Sequence, residues 1–529
     1  MPTNDFLSRR RFLHLAGAAG GTAAAYQMAL GLGLAPMVAS AARPDLAPVT
    51  GGKRRSVVIL GAGISGLTAA YELTRKGYQV VVLEASHRAG GRNMTLRHGS
   101  LIDEAGYKRY CDFDDDPDLY FNAGPARIPG HHAALLGYCR ELGVKLAPFI
   151  NDNRNAYIQD SSLYGGRPVR AREYFNDTRG FIAELAAKSI KAEDLDAPLT
   201  RGDYEKVLEY LRQLGDLDKN FKYKGTSRAG LATHDPISPP ELKKPLDMHE
   251  LIQSRFMYLM SFGETDDQAA MMMEPVGGMD RVVAGFMAKV GKLVKLHAQV
   301  HSVRLQDQGG VRVVYRSPDG KHSTLDADYV LSCIPMHLLA GIDHNFPADY
   351  ARGLTSVERG KLFKIGFQMS ERFWERDEIY GGISWTFQDI NQLWYPAHGI
   401  HGRKGVMLGA YTYSAEVGEK FARMTHEQRV ELAIQQGEKI HPDYRKYVEK
   451  SVSIPWIRMN HMLGCAAGWS DEARATYYKR LQAPVGNFYI IGDQMSYLGG
   501  WQEGAMTSAF HAIADIDQRE RALSVAGAA

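Results

Sequence analysis

Residues 56–92, SVVILGAGISGLTAAYELTRKGYQVVVLEASHRAGGR, constrain the fold more than any other stretch of the chain. Val57, Val58, Ile59 and Leu60 form an apolar, largely β-branched run suited to a strand buried on both faces. Gly61, Gly63 and Gly66 follow at G-x-G-x-x-G spacing, with Ile64 and Ser65 between the last two. Gly61 permits a tight turn, Gly63 lets a pyrophosphate approach the backbone, and Gly66 lets a helix pack closely on the strand. A helix over about 65–76 would aim its first amides and positive dipole end at that phosphate, with Gly77 closing it. Residues 78–83 read as a second strand, ended by Glu84 and Ala85, where the Glu84 carboxylate is placed to accept from a ribose hydroxyl. The glycine spacing alone is weak. With a strand before it, a helix after it and an acid at this distance, it predicts a bound dinucleotide.

At 529 residues the chain predicts two or three domains, and 45% hydrophobic with 23% charged residues is ordinary for a globular protein. The formal net charge is only +3, and Arg9, Arg10 and Arg11 near the N-terminus supply most of the excess, so composition implies no nucleic-acid or membrane-binding field. Cys111, Cys139, Cys333 and Cys465 are widely spaced and form no metal-ligand pattern. They read as buried small hydrophobes, with a disulfide left open.

The segment SRRRFLH at 8–14 resembles a twin-arginine export signal, followed by an Ala/Gly-rich apolar stretch and an A-x-A cleavage site at Ala39-Ser40-Ala41. The stretch is long enough to span a membrane, but its Gly and Ala content and the small-residue site favour cleavage. The expectation is a leader at 1–41, no stable membrane anchor after its removal, and a periplasmic or secreted protein.

Further along, strands are expected at 299–305, 311–316 and 327–333 as a meander, then at 361–369, 406–413 and 487–491. Helices are expected over 425–439 and, after the segment 499–505, to about Arg519. A helical, turn-rich segment lies between them and the N-terminal unit, roughly 173–270.

The string Arg88-Ala89-Gly90-Gly91-Arg92 resembles the R-x-G-G-R element that follows the ribose acid in the flavin amine oxidase family, in which Arg88 or Arg92 would add charge for phosphate. Together with GPARIP at 124–129, the stretch from Gly277-Gly278-Met279-Asp280 to Gln299-Val300, and Gly492-Asp493 with GGWQEGA at 499–505, it covers nearly the whole mature chain. The chain is similar to L-amino acid oxidases of that family, closer to the bacterial branch than to the vertebrate monoamine oxidases. The resemblance implies an α/β fold: a GG-type Rossmann-like FAD-binding domain from 53–123, 271–337 and 481–525, a mixed-sheet substrate-binding domain from 124–172 and 338–480, and a helical insertion at 173–270. It implies FAD held by Gly61, Gly63, Ile64, Ser65, Gly66, Glu84, Ala85, Gly90, Gly91, Arg92, Ala126, Arg127, Val300, Gly492, Asp493, Trp501, Gln502 and Ala505. The family more often has Glu at the Asp493 position. No Cys lies between Asp493 and Trp501, so the FAD is expected to be non-covalent.

Arg127 and Tyr411 match the pair that takes the substrate carboxylate, for which a guanidinium fork is chemically apt. Lys364 matches the Lys that holds a water at flavin N5, and Gly500 with Trp501 matches an aromatic wall beside the substrate amine. The resemblance thus implies oxidative deamination of an L-amino acid by FAD and dioxygen, with no metal, giving a 2-oxo acid, ammonia and hydrogen peroxide, in a homo-oligomer, a dimer. Specificity is expected from the insertion and from Phe and Trp residues at 385–395. An amino acid 2-monooxygenase, an amine or polyamine oxidase, and a non-catalytic flavoprotein remain as alternatives.

Overall fold

The structure, a computed structural model, describes residues 43–46, 55–191, 200–233, 235–269 and 271–528. The leader expected at 1–41 lies outside them. Two sheets organise the molecule. The first is parallel, in the order Val294–Lys295, Gln79–Leu83, Ser56–Leu60, Tyr329–Ser332 and Phe488–Ile490, with Val57 opposite both Val80 and Tyr329. Burial on both faces explains its apolar strands. Val57 and Ile59 pack with the helices Ile64–Arg75, Asp280–Val290 and Gln502–Ala528. Val58 and Leu60 face the other way, onto a meander and the helix Ala348–Thr355.

The meander consists of Gln299–Leu305, Val311–Arg316 and His322–Ala327. The third strand expected at 327–333 is therefore two strands. His322–Ala327 completes the meander, while Tyr329–Ser332 enters the parallel sheet beside Ser56–Leu60.

The second sheet has seven strands, in the order Val169–Arg170, Tyr157–Gln159, Gly382–Thr386, Gln392–Tyr395, Gly405–Thr412, Phe363–Met369 and Val448–Pro455. All its pairings are antiparallel except that of Tyr157–Gln159 with Gly382–Thr386. The strand Phe363–Met369 is buried throughout. Its alternation sends Phe363, Ile365 and Phe367 into a core with Phe421 and Tyr444, which leaves Lys364 on the opposite face.

Between 171 and 264 the described elements are helical: Ala171–Ser189, Arg201–Gly215, Met248–Gln253 and 3₁₀ turns at Ser227–Ala229 and Arg255–Glu264. This insertion is anchored to the second sheet by aromatic contacts. Phe256 stacks on Phe387 at 4.0 Å between ring centres, and Phe262 meets Trp385 edge-on at 5.1 Å. Among the described residues no helix is long and apolar enough to cross a membrane.

Candidate active site

Between the two sheets lies a cavity of about 830 Å³, at the large end of the range for ligand sites. At one end it is floored by the glycine turn. Gly61 has φ +101°, a conformation that only glycine adopts without strain. A Cβ on Gly63 would meet no protein atom within 4 Å, so that position opens onto free space. A Cβ on Gly66 would overlap the Gly61 carbonyl oxygen, which is why the helix packs so closely here. Gly66 thus serves packing and does not line the cavity, whereas Gly61, Gly63, Ile64 and Ser65 do. Cys333 Sγ donates to the carbonyls of Leu60 and Gly61 and holds the turn from behind.

Glu84 is 5% exposed, and its two oxygens accept the Ala62 and Ser86 amides at 2.7 and 2.8 Å. The carboxylate therefore fastens the glycine loop to the strand end and still faces the cavity with Ala85. Arg88 differs from the expected phosphate role. Its guanidinium donates to the carbonyls of Ala89, Gly91 and Asn93, so it braces the Gly90-Gly91 turn from outside the cavity. Gly90, Gly91 and Arg92 do line it.

Arg92 forms a two-bond pair with Asp493, one bond 3.0 Å long, and Asp493 also accepts the Gly500 amide at 2.8 Å. Burial works against the Asp493 charge, and Arg92 outweighs it, holding the carboxyl below its ordinary value. Beside this pair lies Arg359, which sequence reading missed. Its Nε is buried without a partner, and no acid among the described residues pairs with it. Burial, and then the like charge of Arg92, lower its pKa. Two neighbouring guanidinium groups sharing one carboxylate leave a net positive site, which suits a diphosphate. With the open Gly63 position and the nearby start of the helix Ile64–Arg75, these residues fit a dinucleotide laid along the glycine turn. Val300, Gly492, Gln502 and Ala505 line the same cavity. The helix Gln502–Ala528 begins there, so its positive end faces inward.

The far end is built from Ala126, Arg127, Lys364, Trp394, Tyr411, Gly500 and Trp501. Arg127 is 8% exposed, with its guanidinium carbon 4.6 Å from the centre of the Trp394 ring and 5.9 Å from that of Trp501. Nη2 donates to Gln268 Oε1 at 2.8 Å, while Nε is buried without a partner. No carboxylate among the described residues pairs with Arg127. A buried cation with an unused donor and no counter-ion is arranged to receive an anion.

Lys364 is 3% exposed, and its Nζ donates to Gly124 O at 2.6 Å and Asn122 O at 3.3 Å. Burial, and then the Arg127 charge, push it down to about 7. Burial also raises the Tyr411 phenol well above its ordinary value.

Gln268 and Trp394 shape this end. Trp394 belongs to the 385–395 group singled out for specificity, but Trp385 and Phe387 hold the insertion and do not face the cavity. Two cysteines also depart from expectation: Cys333 and Cys465 are only half-buried and line the cavity, and all four thiols are free.

The chain matches the family profile of flavin containing amine oxidoreductases over residues 64–516. It belongs to that family. Curated relatives include the L-amino-acid oxidase of Pseudechis australis, 27% identical over 478 residues that cover 88% of this chain and 87% of that protein. The L-amino acid oxidase of Bothrops pictus is 28% identical over 477 residues, covering 88% and 90%. Among solved structures, cyclohexylamine oxidase from Brevibacterium oxydans IH-35A superposes with a TM-score of 0.60 at 17% identity, covering 89% of this chain and all of that one. A redesigned putrescine oxidase gives 0.59 at 20% identity, covering 88% and 99%. These structures establish the amine oxidase fold, a parallel sheet with mixed sheets beside it. As a member of this family, the enzyme is a flavin-dependent amine oxidoreductase.

Proposed function

We propose that this amine oxidoreductase is an L-amino acid oxidase that uses non-covalent FAD. The observation that carries the reading is Arg127: a buried guanidinium without a counter-ion, held between Trp394 and Trp501 in the same cavity as the dinucleotide cradle. A substrate lacking a carboxylate would leave that charge unmatched, at a cost that a simple amine has no means to offset.

When bound, FAD supplies a two-electron acceptor for the Cα hydride and passes the electrons to dioxygen, leaving hydrogen peroxide. The residues do the rest. Arg127 takes the carboxylate through its free edge, and Gln268 fixes the plane of the fork. Trp394 and Trp501 flank the carboxylate and keep water off it. Lys364, near neutrality and tethered by two carbonyls, holds or accepts a proton at Nζ as the amine is made neutral and the imino acid is hydrolysed. By its position on the opposite strand, Tyr411 shares the carboxylate. The products are a 2-oxo acid and ammonia. The twin-arginine leader adds that the enzyme works outside the cytoplasm.

The test is to incubate the enzyme with each of the twenty L-amino acids and, separately, with amines, measuring peroxide, ammonia and the carbon product. A 2-oxo acid with stoichiometric peroxide supports the reading. An amide product would make the enzyme a 2-monooxygenase, and turnover of amines alone would remove the role of Arg127.

A further inference from the structure

Behind the wall formed by Trp501 and Gln268 the fold gathers three side chains that no part of the proposed chemistry uses. His131 and His132 occupy the turn that precedes the helix Ala133–Glu141, and Asp267 comes from the end of the insertion. Asp267 Oδ1 lies 3.6 Å from His131 Nε2 and 3.9 Å from His132 Nε2, and the three donor atoms all fall within 4.8 Å of one another. Four-coordinate zinc with bonds of roughly 2.0–2.2 Å needs ligand atoms about 3.3–3.6 Å apart, so the two measured pairs are within a few tenths of an ångström of that.

A second observation points the same way. His132 is 0% exposed, yet neither ring nitrogen has a hydrogen-bond partner, and Asp267 Oδ1 is buried and unpartnered as well. Leaving such groups unmatched is costly, and a cation between them would satisfy one nitrogen and the oxygen together. We propose that His131, His132 and Asp267 bind one divalent transition-metal ion of the zinc type. Two imidazoles and one carboxylate match zinc or its neighbours and poorly suit magnesium or calcium, which take oxygen ligands. Asp266 Oδ2, 3.5 Å from His131 Nε2, or a water completes the set.

The position gives the ion an effect. His132 meets the Trp501 ring edge-on at 5.1 Å, and Asp267 is followed directly by Gln268, which holds Arg127. An ion here ties together the supports of both sides of the substrate end. It therefore acts on substrate affinity more than on turnover, and this kinetic consequence, unlike the binding itself, rests on the amino acid oxidase reading.

The test uses tag-free, chelator-treated holoenzyme titrated calorimetrically with Zn²⁺, and with Mg²⁺ as control. One equivalent of Zn²⁺ is expected to bind, with no Mg²⁺ heat, and a His131→Ala/Asp267→Asn variant should bind at least about 30-fold more weakly. Substoichiometric binding, or equal affinity in the variant, overturns the site. The flavin spectrum of the variant monitors folding, and Asp267→Asn alone replaces the pair if flavin is lost. Saturating Zn²⁺ should change KM for the amino acid at least twofold with kcat nearly constant, in wild type only. Binding with KM unchanged supports the site and overturns its influence on the substrate end.

Discussion

Lys364 and Tyr411 face each other across neighbouring antiparallel strands, with Lys364 Nζ 4.4 Å from the centre of the Tyr411 ring. The pairing places an ammonium over an aromatic face while burial opposes its charge. Two side chains proposed for the reaction are therefore set by strand register alone, and a slip by one residue would turn Lys364 into the apolar core behind it.

Replacing Arg127 with Ala should lower kcat/KM for L-amino acids by roughly 30- to several-thousand-fold, the equivalent of about 2–5 kcal/mol for loss of a desolvated charge pair. Arg127→Lys should recover only part, because an ammonium lacks the planar fork. The flavin spectrum should stay near wild type. Equal losses toward amines and amino acids would make Arg127 structural.

Lys364 should appear in the pH profile. Its pKa lies near 7 instead of 10.5, so its neutral amine forms above about 7, and kcat/KM should rise with pH through that value. The linkage to stability has the same direction. The unfolded chain keeps this proton up to about 10.5 and the folded protein only to about 7, so stability rises with pH across that window and is lost as pH falls. Lys364→Met should cost roughly 100-fold or more in kcat and abolish the limb near 7. Its gain in Tm over wild type should be largest near pH 7 or below and shrink toward pH 10.5. A wild-type limb that persists in Lys364→Met would assign it to another group.

Gly63→Ala and Gly66→Ala should separate cofactor binding from folding. The Gly63 backbone is extended at φ −69°, and a Cβ there points into free space, so the apoprotein should keep its Tm while flavin content falls below about half of wild type. At Gly66 a Cβ runs into the Gly61 carbonyl, and the apoprotein should lose about 1–3 kcal/mol or more. Thermal unfolding and flavin-to-protein ratios measure both. Identical behaviour of the two variants would refute the division.

Asp493→Asn leaves Arg92 and Arg359, both half-buried, side by side with no compensating charge. Removing one partner of such a pair typically costs about 3–5 kcal/mol. The variant should show a lower Tm and weaker flavin retention, and a wild-type Tm would mean that the pair contributes nothing net.

Acid precipitation should release the flavin into the supernatant. The cavity does hold two thiols, Cys333 and Cys465, so the Cys465→Ser variant is the control. Flavin retained by the wild-type pellet and released by that variant would show a covalent bond at Cys465.

The glycine unit was legible because turn, helix and acid are contiguous, and each residue type there has a local reason. The structure brings Arg127, Lys364, Tyr411 and Trp501 together in one cavity, yet none of them carries a local signal, and only the resemblance singled them out. Gln268, Arg359 and the His132–Asp267 contact were out of reach, since each depends on segments joined only by tertiary packing. The strand His322–Ala327 was missed for another reason. Its residues alternate between exposed and part-buried along a solvated edge, so it carries almost no apolar period.

The Arg92–Asp493 bridge joins residues 401 positions apart, and the segment that follows Asp493 also supplies Gly500, Trp501 and Gln502. With only the N-terminal unit folded, the glycine turn exists but its opposite wall does not. Flavin retention is therefore expected only once the segment around Asp493 has folded onto the glycine unit.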